Sequence, residues 1–262
     1  MSDPHSVLID TCAMAALSIY CEFCDARKKT YGTSSSELFG DLPTHLKNEY
    51  FEEEAIKHGY QCYKYLRDLK QNGDIVFYFS KLVKVELLDV FLDVSFDEML
   101  VREGISFRLR RKKPLRWQVN FDYNKKVSNR YATIEKCLDG LGISISCPEA
   151  DLRSSYRQAF EINDILSSHI FLDSVDSYLF SLSVFLMVDE IITFDHEFKN
   201  ILNEFRASRE WKKHREYFEY EVIKIVPQYQ SLCVIESKPD SHGKVKPRID
   251  LGKFKLPVLV SP

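Results

Sequence analysis

Four carboxylates stand in this sequence where burial makes a lone charge costly. Asp10 follows Val7-Leu8-Ile9, and Asp195 follows Ile191-Ile192-Thr193-Phe194, so each emerges where a buried strand stops. Asp176 is the only charged residue between Ser174 and Val188, and Glu86 lies one turn beyond Leu82 in a helical Leu82, Val85, Leu88 spacing. An ionised carboxylate in apolar surroundings costs several kcal/mol unless something cationic answers it. No Lys or Arg lies within three residues of Asp10, Asp176 or Asp195, so a divalent ion with oxygen ligands is the natural counter-charge. Carboxylate oxygens suit hard ions such as Mg²⁺ or Mn²⁺. Taken singly, each acid has a plainer role: Asp10 and Asp195 cap the helices that follow, Asp173 and Asp176 begin another, and Glu86, Asp89 and Asp93 share a solvated face.

The elements that must position these acids alternate along the chain. His5 to Asp10 reads as a short buried strand, followed by a helix through Ala13, Ala16, Leu17 and Tyr20. Residues 30–43 form a loop, Leu46 to Lys70 a helix stopped by Asn72-Gly73, and Ile75 to Phe79 a strand that passes into a helix at Ser80. A strand over 143–147, a helical stretch opened by Pro148, a buried helix over about 173–188, a strand over 190–194, a charged helix over 198–218 and a last strand over 221–226 complete the order. This alternation predicts a three-layer α/β/α fold with a central, mainly parallel sheet, whose active crevice lies beyond the carboxyl ends of the strands. The spacing gives one domain over 1–226, with an insertion at about 102–142, and a Pro-, Lys- and Ser-rich extension over 227–262.

Composition narrows the class. The 262 residues carry 36 Lys+Arg against 39 Asp+Glu, a net charge of −3, so any nucleic-acid surface is local rather than global. Ser2-Asp3-Pro4-His5 lacks the basic start of a signal peptide, and no apolar run is long enough to span a bilayer. Seven scattered cysteines in a chain of this size point to reduced thiols and a cytoplasmic location. Cys21-Glu22-Phe23-Cys24 is the only close pair, with no second pair to complete a zinc site.

With these segments in hand, the sequence resembles the PIN-domain nucleases, the metal-dependent RNases that include VapC-type toxins and ribosome-processing endonucleases. Val7-Leu8-Ile9-Asp10-Thr11 is similar to the family's opening strand with its first acid, and Leu82 to Leu88 to the helix that brings in its Glu. Asp176 to Ser183 and Ile191 to Phe198 are similar to the family's third-acid helix and its closing strand with a T-x-D. The resemblance implies metal-dependent hydrolysis of RNA phosphodiesters, with Asp10, Glu86, Asp176 and Asp195 as metal ligands. Thr11 and Thr193 would hold a carboxylate or a metal-bound water in place, and Asp173 competes with Asp176 for the third position. Two ions about 3.5–4 Å apart can stabilise both the attacking and the leaving oxygen of such a displacement. The chain departs from the family in placing Tyr178, Leu179 and Phe180 where small residues are usual, and in its longer segments 21–74 and 102–142.

Residues 101–130 hold ten basic side chains against Glu103 and Asp122, with Trp117, Phe121, Tyr123 and Tyr131 in or beside the run. Cations that pair with phosphates and rings that stack on bases are what a single strand needs. Arg108, Arg110, Arg111, Lys112, Lys113, Arg116 and Trp117 are the expected RNA contacts. The same surface also suits an acidic protein partner or inhibitor, and a homodimer is compatible with it; no membrane partner is expected. A haloacid-dehalogenase phosphatase is disfavoured because Cys12 stands where its second Asp belongs, and a dinucleotide binder because no G-x-G-x-x-G follows the first strand. The competing reading is a catalytically silent PIN-like scaffold that binds RNA or protein without cutting it.

Overall fold

A computed structural model describes residues 4–40, 53–102, 104, 123–147, 163, 174–186, 188–198, 200–201, 220–225 and 233–237. The chain is an α/β protein with two compact units, one of Met1–Asp10, Asn72–Lys81 and Ile145–Pro262, the other of Thr11–Gln71 and Leu82–Ser144.

The first unit is built on a six-stranded sheet of β1 (His5–Ile9), β2 (Ile75–Tyr78), β3 (Ser144–Ser146), β4 (Glu190–Thr193), β5 (Tyr220–Ile225) and β6 (Cys233–Ser237), in the order β3-β2-β1-β4-β6-β5. β1 runs parallel to both of its neighbours, with Val7 opposite Phe77 on one side and Leu8 opposite Ile191 on the other. Val7, Leu8 and Ile9 have no exposed surface, which is why the second half of this strand is an unbroken apolar run rather than an alternating one. β4 is buried at all four positions. Helix α6 (Ser174–Leu186; helices are numbered in chain order) belongs to this unit and buries Tyr178, Leu179, Phe180 and Leu182. Its inward serines are satisfied locally, Ser181 donating to the Ser177 carbonyl at 2.7 Å and Ser183 to that of Phe180 at 2.7 Å.

The second unit is helical: α1 (Thr11–Ala26), α2 (Ser35–Gly40), α3 (Glu53–Asn72), α4 (Lys81–Arg102) and α5 (Tyr123–Gly140). α1 is buried along nearly its whole length, from Thr11 to Cys24. Gly59 on α3 lets the two helices meet, since a Cβ there would lie 2.1 Å from the Ala16 carbonyl oxygen. α5 ends at a left-handed Gly142, with its Leu138 carbonyl accepting the Ile143 N–H at 3.0 Å.

Several expectations change. The loop expected over 30–43 contains α2, and α3 begins at Glu53 among the described residues. The extension expected over 227–262 contributes β6, which pairs antiparallel with both β4 and β5 and so makes that edge of the sheet antiparallel. The 226–232 link explains the direction, because a parallel crossover needs about a dozen residues or more and a hairpin does not. The segment 102–142, expected as a basic insertion, contains α5. The helical stretch from Pro148 and most of the helix over 198–218 lie outside the described residues. Among the described residues no helix is long and apolar enough to cross a membrane.

Candidate functional site

Within the sheet unit, two of the expected acids stand at the same end of adjacent parallel strands. Asp10 directly follows β1, and its N–H donates to the Ile192 carbonyl at 3.0 Å, extending the β1–β4 ladder by one step. Asp195 comes two residues after β4. Thr193, the last residue of β4 and itself without exposed surface, connects them. Its hydroxyl donates to Asp10 Oδ2 at 2.6 Å and accepts the Asp195 N–H at 2.8 Å. Asp10 is 4% exposed, so its carboxylate is held by hydrogen bonding at the floor of the strand ends rather than by bulk water.

Asp195 also fills the plainer role. Its Oδ1 accepts the N–H of Glu197 at 2.7 Å and of Phe198 at 3.0 Å, the geometry of a residue capping the helical turn that begins at His196. Oδ2 of the same carboxylate accepts no hydrogen bond among the described residues. Asp176 sits half-buried in the first turn of α6, where the helix dipole favours a negative charge. Asp173 lies outside the described residues.

In the helical unit, Thr11 opens α1 and its hydroxyl donates to Glu86 Oε2 on α4. Glu86 is half-buried, between the fully buried Val83 and Leu87 on the same helix. Asp89 and Asp93, grouped with Glu86 as a solvated face, are exposed. Thr11 and Thr193 thus each hold a carboxylate through the hydroxyl, rather than only capping the chain that follows.

The donor set consists of oxygens throughout, which fits a hard divalent ion in kind. Among the described residues, however, no three His, Cys, Asp or Glu side chains gather closely enough to hold an ion by themselves. That result is compatible with Mg²⁺, which keeps several waters and is commonly bound by one or two carboxylates together with substrate phosphates.

Arg108, Arg110, Arg111, Lys112, Lys113, Arg116 and Trp117 lie outside the described residues. Within the wider basic and aromatic run, Arg130 and Tyr131 have described side-chain surroundings, and neither faces solvent as a strand-tracking surface requires. Arg130 is 3% exposed, with Nε 3.1 Å from Glu22 Oε1 and its guanidinium 5.3 Å from the Phe91 ring centroid. Tyr131 meets Phe91 edge-on at 5.7 Å, and its hydroxyl donates to the Lys84 carbonyl at 2.8 Å. The partners of both come from α1 and α4, so spacing along the segment carried no sign of them.

A second polar constellation, at the opposite end of β1 and β4, escaped the sequence reading. Asp189 Oδ2 accepts from both the N–H and the hydroxyl of Ser6 at 2.7 Å, and the buried Glu190 pairs with His5 at 3.0 Å. These contacts fix the strand starts rather than face the crevice end. No family model matches the chain, and neither does any curated protein or solved structure.

Proposed function

We propose that the protein is a metal-dependent endoribonuclease of the PIN type, using Mg²⁺ or Mn²⁺ held within the sheet unit through Asp10, Asp176 and Asp195. The observation that carries this reading is the hydrogen-bonded sequence from the Asp195 backbone through Thr193 to the buried Asp10, at the carboxyl ends of two adjacent parallel strands. Ligand sites in open α/β sheets occur at that end. A divalent ion bound there supplies positive charge to an anionic phosphodiester and lowers the pKa of a bound water. The chain's own contribution is positional. Thr193 keeps one oxygen of Asp10 engaged and so orients the other, and Asp195 presents Oδ2 while Oδ1 is tied to the helical turn.

The capping role of Asp195 and the absence of a three-ligand cluster among the described residues favour the second reading, a scaffold that binds RNA or protein without hydrolysis. Labelled single-stranded RNA incubated with the full chain and Mn²⁺ or Mg²⁺ separates the two. Metal-dependent cleavage lost in both Asp10→Asn and Asp195→Asn is the expected result. Binding without cleavage, unchanged by either substitution, would replace the enzyme with the scaffold.

A further inference from the structure

The amino end of the sheet, opposite the strand ends that carry Asp10 and Asp195, holds an imidazole between two carboxylates. His5 opens β1 with its side chain 38% exposed. Its Nε2 lies 3.0 Å from Oε1 of the buried Glu190, and its Nδ1 lies 3.8 Å from Oδ2 of the half-buried Asp189. The register explains the first contact: Val7 lies opposite Glu190, and His5 shares the face of β1 that Val7 occupies, so the ring is delivered to the side of the sheet where Glu190 stands. Asp189 is fixed independently of the ring. Its Oδ2 accepts the N–H and the hydroxyl of Ser6 at 2.7 Å each, and its own N–H donates to the Ser6 carbonyl at 3.0 Å. On the β2 side, the His5 N–H donates to the carbonyl of the exposed Asp74 at 2.8 Å. Further across the sheet, Glu190 lies opposite Glu236 on β6, and Glu236 opposite Glu221 on β5. Every titratable residue at these positions is an acid.

A negative charge within about 4–6 Å favours the imidazolium over the neutral ring, and two act on His5 at once. We propose that His5 is a pH-sensitive latch: as the imidazolium it ties the amino end of β1 to the start of β4 through Glu190 and Asp189, and on losing its proton it releases that end of the strand. The neutral ring donates through one nitrogen only, so it serves one carboxylate where the imidazolium serves two. The buried Glu190 then also loses the charge that offsets its desolvation. Histidine changes charge across the physiological range, which the flanking acids, ionised from about pH 5 upward, do not. The latch therefore adds its full stability below about pH 6.5, where the ring is charged in the folded and unfolded chain alike, and that stability is lost as the pH rises through the titration of the folded ring. Val7, Leu8 and Ile9 have no exposed surface, so release is an opening of the strand start and not of the sheet.

The test measures Tm and hydrogen exchange of the amino-terminal peptide for the full chain at pH 5.5 and at pH 8.5, in the wild type, in His5→Gln and in both forms carrying Glu190→Gln. His5→Gln is expected to melt about 2–4 °C below the wild type at pH 5.5 and within about 1 °C of it at pH 8.5. Exchange of the wild-type peptide, taken relative to His5→Gln at the same pH, is expected to be slowed at the lower pH and equal at the higher. In the Glu190→Gln background the His5→Gln difference at pH 5.5 is expected to fall by about half or more; if that background does not fold, the comparison of wild type with His5→Gln decides. A Tm difference equal at both pH values would make His5 a plain packing residue and overturn the latch. So would a pH-dependent difference in Tm with exchange of the amino-terminal peptide unaltered, or one that persists undiminished without the Glu190 charge.

Discussion

Thr193 is the side chain on which the relation between the two strand-end acids depends. Replacing it with valine keeps the shape but removes the donor to Asp10 and the acceptor for the Asp195 N–H. A hydrogen bond to a charged group contributes about 1.5–3 kcal/mol, so Thr193→Val should lower unfolding free energy by about 2 kcal/mol in a urea titration. In the nuclease reading the same change should reduce metal-dependent cleavage about 10–100-fold, with Thr193→Ser restoring most of it. A loss of stability with cleavage per folded molecule unchanged would leave Thr193 a purely structural residue. Asp10, Thr193 and Asp195 were legible because each ends a dense apolar run, and chain direction then fixes the end of the sheet. What stayed hidden was partnership: Thr193 and Asp10 are 183 residues apart, and no local pattern encodes that Arg130 answers Glu22.

At the scale of the element, the close crossing of α1 and α3 makes the sharpest demand. Helix propensity alone favours Ala over Gly by about 1 kcal/mol, so Gly59→Ala on an open helix face would stabilise. Here the added Cβ would meet the Ala16 carbonyl oxygen at 2.1 Å and the Tyr20 Cβ at 2.5 Å, and the first of these is backbone that no rotamer change can move. Overpacking of this kind costs about 3 kcal/mol or more and outweighs the propensity, so the substitution should destabilise in chemical denaturation. A neutral or stabilised variant would mean that the two helices do not approach so closely. Sequence periodicity reads elements unevenly. β1, β2 and β4 stood out as β-branched and aromatic runs, whereas the Cys233-Val234-Ile235 core of β6 is too short to emerge from its polar surroundings. Its antiparallel pairing with β5 follows from the length of their link, which periodicity does not report.

Charge is the property that belongs to the molecule as a whole. The net charge is −3, yet residues 101–130 carry ten basic side chains against two acidic ones, which leaves the rest of the chain acidic. Affinity for a nucleic acid should therefore rest on that one segment, and its salt dependence counts the cations that reach phosphates. Arg130 belongs to the segment by sequence, yet it is buried against Glu22 and Phe91. Replacing Arg110, Arg111, Lys112 and Lys113 together with glutamine should flatten the log–log salt slope for single-stranded RNA by about 3, at roughly 0.7 per lost phosphate contact. Arg130→Met should leave that slope unaltered while lowering stability by about 2–3 kcal/mol, below the usual 3–5 kcal/mol for a broken buried pair because Glu22 can turn to water. Titrating both variants and the wild type by fluorescence anisotropy at several salt concentrations checks the pair of outcomes. A quadruple variant with the wild-type slope would remove the segment from the binding surface, and an Arg130→Met variant with a flattened slope would bring the buried guanidinium out to the phosphates.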